Sequence, residues 1–581
     1  MASPTVETKP LPESSPKKNP NVGRAGGIMM ASLLLSRVLG LVRDMVVASK
    51  FGVSHATDAY TAAFQLPDLI FYLIAGGALS SAFIPVFSEY IHTKREKEAW
   101  QIFSSVTTVI TIAITTLVAL ALIFAVPLVH LTAGGAEQEG IVPLVVLLSR
   151  IVLPAQIAFF IGGGLMLGAL YSLQRFAVPG LGPNIYNLGI IFGAVVLSAF
   201  FKEGIVGMAC GALIGACIGN LVIPAWELKR AGGKFRPSLD LSHPGVKKIF
   251  KLMLPVVFGL SLGGVYPVIL RSFASYYPHG LSDIYYSNLL MQAPVGVLGQ
   301  SLAIAIFPAL SQFHAESRMD MYRLQMGSTL RTVIYLTVPI SAFMALAAPQ
   351  IVSGLYAHGK FTEANAQEVA MCLRWFAIGI SAWCMQPVIT RGFFAIQNTL
   401  TPTIVGTLVT AFFIGSVYFL KTTSMGLFAL PLASSISAIL LVVALLAFLV
   451  PRIGGLDLPG ILTTLAKSAV GTALMLAITY LVLKTPAGEV SSTGNRFVGL
   501  AIILVLFFPG MFIYHWSTKL MKMPETAYID RMVARISGRA VPVDRKAVVP
   551  DVIEEPSSDR IQELPPSEQP GGGSIDPMEG A

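Results

Sequence analysis

The stretch SRVLGLVRDMVVASKFG, residues 36–52, has the composition of a membrane helix interrupted by Arg37, Arg43 and Asp44. A charge near the bilayer centre costs about 2.5–3.5 kcal/mol on insertion scales, so three close together require partners or water. At helical spacing Arg37 and Asp44 fall on nearly one face, and Arg43 lies about 100° around from it. Arg37 stands about 20 Å along a helix from Arg24, and Arg43 about 9 Å further. Simple snorkelling to the near interface cannot serve both cations. The run therefore reads as a spanning helix with a broad polar side turned away from hydrocarbon.

The rest of the chain carries the same signal. Of 581 residues, 54% are hydrophobic and only 12% are charged, about half the charged share of a soluble domain. Apolar runs long enough to cross about 30 Å of hydrocarbon recur throughout. The expected fold is an all-α polytopic membrane protein with about fourteen transmembrane helices. The net charge of +9 then belongs to loop topology and not to nucleic-acid binding. The opening residues lack a short apolar core and a small-residue cleavage site, so the first helix reads as an uncleaved anchor. Cys210, Cys217, Cys372 and Cys384 show no metal-ligand spacing and read as small apolar packers. No Walker loop, nucleophile–base set or zinc spacing is evident, so the chain reads as a non-enzyme with no cofactor and no metal.

Basic residues set the expected orientation. Lys94, Arg95, Lys97 and Arg175 would lie in inside loops, with Lys229, Arg230, Lys234, Arg236, Lys247, Lys248 and Lys251 in one basic connection. The opposite loops are sparse in Lys and Arg, which puts both termini in the cytoplasm. The expected organisation is a cytoplasmic N-terminal tail (1–25), a first six-helix lobe (26–228) and a basic cytoplasmic linker (229–248). A second six-helix lobe (249–450), two further spans (451–520) and a largely disordered cytoplasmic tail (521–581) follow.

An internal repeat supports the two lobes. FIPVFSEY at 83–90 resembles FPALSQF at 307–313, which pairs Pro85 with Pro308. LYSLQRFAVP at 170–179 resembles FFAIQNTLTP at 393–402, which pairs Gln174 with Gln397 and Pro179 with Pro402. Each pair is 223 positions apart, and TDAY at 57–60 matches SDIY at 282–285 within two residues of that offset. Each repeat holds an even number of spans, so the halves are parallel and a substrate chamber is expected where they meet.

On this frame Arg37 and Arg43 read as chamber residues able to bind a diphosphate, with Asp44 and Asp58 balancing them when the site is empty. The competing reading is a structural ion pair between helices. Arg271, in VILRSFAS, is expected to face the two arginines or to form an interlobe salt bridge. Asp58 opens the second span and reads more readily as its helix cap. Asp68 is a candidate for ion coupling, and Asn288 and Gln292 are secondary chamber candidates. Arg150, Arg374 and Arg391 read as stabilising or topogenic, His130 and His358 as locally hydrogen-bonded, and the glycines at 162–164 as helix packing.

SRVLGLVRD, followed by ATDAY, GGALSSAFIPVFSEY, GVLG…FPALS, GKFT and RGFFAIQNTLTP, resembles the MurJ/MviN family of lipid II flippases. The resemblance runs in order over roughly residues 25–520. It implies the multidrug/oligosaccharidyl-lipid/polysaccharide exporter fold, with fourteen helices and a lateral groove formed partly by the last two. The implied partners are an undecaprenyl-diphosphate-linked peptidoglycan precursor, membrane lipids and cell-wall synthesis proteins. Family chamber positions map onto Arg37, Arg43, Asp44 and Asp58, and onto Arg271. Where the family commonly carries charged groups, this chain has Phe71, Tyr72 and Gly76, and again Asn288, Leu289 and Gln292. The rival functions are flipping another lipid-linked glycan, small-molecule export, and a non-transporting membrane scaffold.

Overall fold

Hydrocarbon offers no partner to a backbone N–H or C=O, so a spanning segment of this composition satisfies them within a helix. In the computed structural model, described over residues 20–73, 76–175, 177–253, 265–421, 423–484 and 496–536, every regular element is helical. Among the described residues ten helices are long and apolar enough to cross a membrane. They become eleven when Glu363–Ala377 and Ile380–Ala395, meeting at 46°, count as one bent span. Three other runs were read as spans from the sequence. One is α1 (Pro20–Phe51), which carries the charges of the 36–52 stretch. The next comprises α2 (His55–Ala63), α3 (Gln65–Leu73) and α4 (Gly76–His92). The third, around 249–277, lies partly outside the described residues.

Two boundaries differ from the sequence reading. α1 starts at Pro20, inside the expected tail, because Pro is well suited to a first helical turn. A helix at Thr526–Ile536 occupies part of the expected disordered tail, with Asp530 bonded to Lys519 at 2.7 Å and to His515 at 3.0 Å. The remainder of both tails lies outside the described residues.

The repeat is written into the backbone. Lys94 and Ser317 both adopt positive φ (62° and 56°), as do Gln174 and Gln397 (58° and 57°). Both pairs are separated by the 223-residue offset found in the sequence. Each residue closes a helix in the same way, with the next amide reaching back to a carbonyl one turn and a half earlier: Arg95 to Tyr90 at 2.9 Å and Arg318 to Phe313 at 2.8 Å. Arg95 also lies over the Tyr90 ring and Arg318 over the Phe313 ring. The helices that follow, Glu96–Ile123 and Met319–Leu346, are both 28 residues long.

Glycines let the first lobe close. A Cβ on Gly162 would lie 1.2 Å from the Asn220 carbonyl oxygen, so this part of the 162–164 triplet serves close helix contact. The last two spans pack on the second lobe, Leu458–Leu483 along Met319–Leu346 and Arg496–Leu520 against Ala348–Tyr356. Tyr514 anchors them by donating to the Tyr335 carbonyl at 2.8 Å.

Hydrogen bonds between the lobes cluster, among the described residues, at one end and along the chamber wall. Lys360 N donates to Ser49 O at 2.9 Å, and Gly135 N to Ser275 Oγ at 3.1 Å. Gly52, at φ 66°, brings its backbone so close to Lys360 that a Cβ would lie 2.5 Å from the Lys360 carbonyl oxygen. The end of α1 and the turn after it therefore meet the Lys360 turn, and the Gly134–Glu137 segment meets the turn before Gly280–Pro294, at this joined end.

Candidate functional site

The polar side of α1 divides its charges between two fates. Arg43 is committed: Nε donates to Asp44 Oδ1 at 2.8 Å, and a terminal nitrogen lies 2.7 Å from the same oxygen. The other terminal nitrogen donates to Asn187 Oδ1 at 2.9 Å, across to the Ala177–Val195 helix. Asn187 in turn donates to the Ser36 carbonyl at 3.2 Å, tying both helices together. Tyr285 donates to Asp44 Oδ1 at 3.4 Å from the second lobe. The Asp44 side chain is 4% exposed, so this is a buried, hydrogen-bonded pair.

Arg37 is different. It is exposed and has no hydrogen bond or ion pair among the described residues. Its guanidinium lies against Gly296, where a Cβ would come within 2.7 Å of a terminal nitrogen. Gly296 belongs to the π-helical turn of the second lobe, so the open cation of α1 crosses the interlobe gap. Of the two arginines read as chamber residues, Arg43 is thus occupied by Asp44 and Asn187, and Arg37 stands open.

Arg271 sits on the wall of a chamber of about 670 Å³. It donates to Asp68 Oδ2 at 2.7 Å, an interlobe salt bridge with both side chains about a third exposed or less. Asp68 is thus an ion-pair partner in this conformation. Asp68→Asn is expected to shift stability by no more than about 1 kcal/mol, as for other part-exposed pairs. Thermal unfolding checks this expectation.

The chamber is lopsided. Phe71 and Tyr72 of α3 close one side, and the remaining wall belongs to the second lobe. Asn288, Leu289 and Gln292 line it, together with Gln386 and Thr390. All five departures with described side chains therefore converge on one chamber; the Gly76 position has a described backbone only. Trp383 Nε1 and Ser437 Oγ belong to lining residues and have no hydrogen-bond partner among the described residues. None of the lining residues comes from the last two spans, so this chamber is not the lateral groove expected there.

Asp58 departs from both of its sequence readings. Ser54, not Asp58, caps α2 by accepting from Thr57 N at 3.4 Å. Asp58 is 1% exposed and accepts from Ser282 N at 2.8 Å and Ser282 Oγ at 2.6 Å, while His279 Nδ1 lies 2.9 Å away. It latches the lobes at their joined end and does not balance the α1 arginines. The hydrogen bond to Asp58 holds the His279 imidazole, just outside the Gly280–Ala315 span, above its ordinary pKa against the effect of burial.

Sequence reading missed Asn187, Tyr285 and His279. Asn187 and Tyr285 sit in apolar or aromatic company without a local motif, and His279 stands alone before a helix. The TDAY–SDIY match was the available signal, since it aligns the two segments that form the latch.

Two parallel helical lobes, joined at one end around a chamber lined by polar groups and Arg271, define a polytopic membrane carrier. The family model described as Lipid II flippase MurJ matches residues 47–495. The chain belongs to that family. It is 30% identical over 389 residues to the lipid II flippase MurJ of Burkholderia cenocepacia, covering 66% of this chain and 75% of that protein. It is 32% identical over 393 residues to a probable lipid II flippase MurJ of Vibrio cholerae, covering 65% and 74%. A solved structure described as lipid II flippase MurJ in an inward closed conformation superposes with a TM-score of 0.69 at 25% identity, covering 85% of this chain and 98% of that one. An inward-facing MATE family transporter shares the fold, with a TM-score of 0.59 at 16% identity over 74% of this chain and 98% of that one.

Proposed function

We propose that this chain flips a polyprenyl-diphosphate-linked peptidoglycan precursor, lipid II, from the cytoplasmic to the outer leaflet by alternating access. The observation that carries the reading is an interlobe chamber of about 670 Å³, with Arg271 on its wall, in a chain of this family. Diphosphate oxygens match the planar fork of a guanidinium, and Arg37 offers such a fork without a competing carboxylate. Arg37 is the first contact in this scheme. Arg271 and Arg43 join by exchanging Asp68 and Asp44 for the cargo, as the lobes move. Asn288, Gln292 and the free Trp383 N–H meet sugar and peptide groups. Asp58 holds the joined end. The loop charges orient both termini toward the cytoplasm, so the joined end faces outward and the cycle starts inward-facing. One charge crossing 100 mV supplies about 2.3 kcal/mol, enough to bias such a cycle without nucleotide hydrolysis.

A second cargo reading has one observation in its favour. Phe71, Tyr72, Asn288, Leu289 and Gln292 make the wall neutral where relatives are expected to carry charge, which suits a less polar lipid-linked glycan. Complementation separates the two. In a strain depleted of its lipid II flippase, this chain is expected to restore growth and cell shape. Absence of rescue by correctly inserted protein would move the reading to another glycan.

A further inference from the structure

The joined end carries a donor cluster that the transport scheme does not use as such. His55 stands in α2, Asp58 one turn later, and His279 ahead of Gly280–Pro294 in the other lobe. One ligand-type atom from each lies within 4.8 Å of those from the other two. We propose that these three residues form a site for a divalent transition-metal ion of zinc's kind, clamping the lobes together on the outer face.

The donor set points to that class. Two imidazoles and a carboxylate suit zinc, whose bonds to such ligands are about 2.0–2.2 Å. Calcium takes six to eight oxygens and magnesium a near-octahedral oxygen shell, and neither is approached here. The surroundings resemble a supported ligand shell. Asp58 Oδ1 is tied by Ser282 N and Oγ, which leaves Oδ2 turned toward His279 Nδ1. Glu139 Oε1 accepts from His279 N at 3.1 Å, and its Oε2 lies 3.4 Å from His55 Nδ1. A carboxylate behind a ligating histidine fixes its ring and raises its basicity, which makes Glu139 the positioning residue for His55. The two imidazole rings are 4.9 Å apart at 48°, tilted and not stacked flat. Asp58 is 1% exposed, whereas the His55 side chain is 60% exposed. The buried oxygen supplies a fixed ligand and the exposed ring both an entry path and the freedom to close the last distance.

Because the ligands come from both lobes, metal binding favours the state in which this end is joined. The slowing of transport that follows rests on the flippase reading; the binding does not. The test titrates zinc chloride into the purified full-length chain, with magnesium and calcium chloride as controls. Wild type is expected to bind one zinc saturably and to unfold at higher temperature with zinc alone. His55→Ala, at an exposed position, is expected to fold normally and to lose about tenfold or more in zinc affinity, as does Glu139→Gln. Equal zinc binding by wild type and His55→Ala, or no saturable binding, overturns the site. In proteoliposomes moving lipid II, zinc is expected to slow wild type and spare His55→Ala. Site-dependent binding with unchanged transport overturns the clamp. Absence of any lipid II movement without zinc counts against the flippase reading and leaves the binding result standing.

Discussion

Arg37→Ala is expected to lower lipid II translocation about ten- to a hundredfold while leaving the thermal midpoint unchanged. A hydrogen bond to a charged group contributes about 1.5–3 kcal/mol, and each 1.4 kcal/mol is tenfold. Arg37 has no ion-pair partner among the described residues, so its removal orphans no carboxylate. The loss should therefore fall on cargo binding alone. Arg37→Lys retains the charge without the planar fork and is expected to give an intermediate rate. Rescue of a depleted strain and transport by purified protein both measure the effect. Wild-type rates in Arg37→Ala would remove this residue from the proposed site.

Arg43→Ala is expected to act first on stability. It leaves the Asp44 carboxylate, 4% exposed, with only the 3.4 Å hydrogen bond from Tyr285. Removing one partner of a buried pair costs about 3–5 kcal/mol, whereas removing both costs far less. Thermal unfolding of the purified chain should show a large loss in the single variant. The double variant Arg43→Ala/Asp44→Ala is expected to recover most of it. Transport then reads the remaining question. If Arg43 is released to the diphosphate during the cycle, the double variant is stable but slow. Wild-type transport by the stable double variant would make Arg43 architectural.

Much of this protein was legible in its residues. The apolar runs imposed helices because lipid supplies no backbone partners. The 223-residue repeat exposed the two lobes, and the matching positive-φ residues show that the repetition reaches backbone geometry. The charges of α1 marked it as a helix that does not face hydrocarbon alone, since ionised groups there need water or partners. Phe71, Tyr72, Asn288, Leu289 and Gln292, noted as departures from a family pattern, all line one chamber.

Which arginine is open was not legible, because Arg37 and Arg43 look alike in a linear pattern. Their difference depends on Asn187, 144 positions beyond Arg43 in the chain, and on Tyr285 in the other lobe. Asp58 likewise reads as a cap until Ser282 and His279 arrive from 224 and 221 positions away. Helix formation and membrane insertion are decided by composition within about twenty residues. The state of a buried charge depends on whichever groups the folded lobes bring within about 3 Å. Class, repeat and candidate cations therefore belong to the sequence by itself. The pairing of those cations, the shape of the chamber and the histidine cluster at the joined end exist only once the lobes have packed.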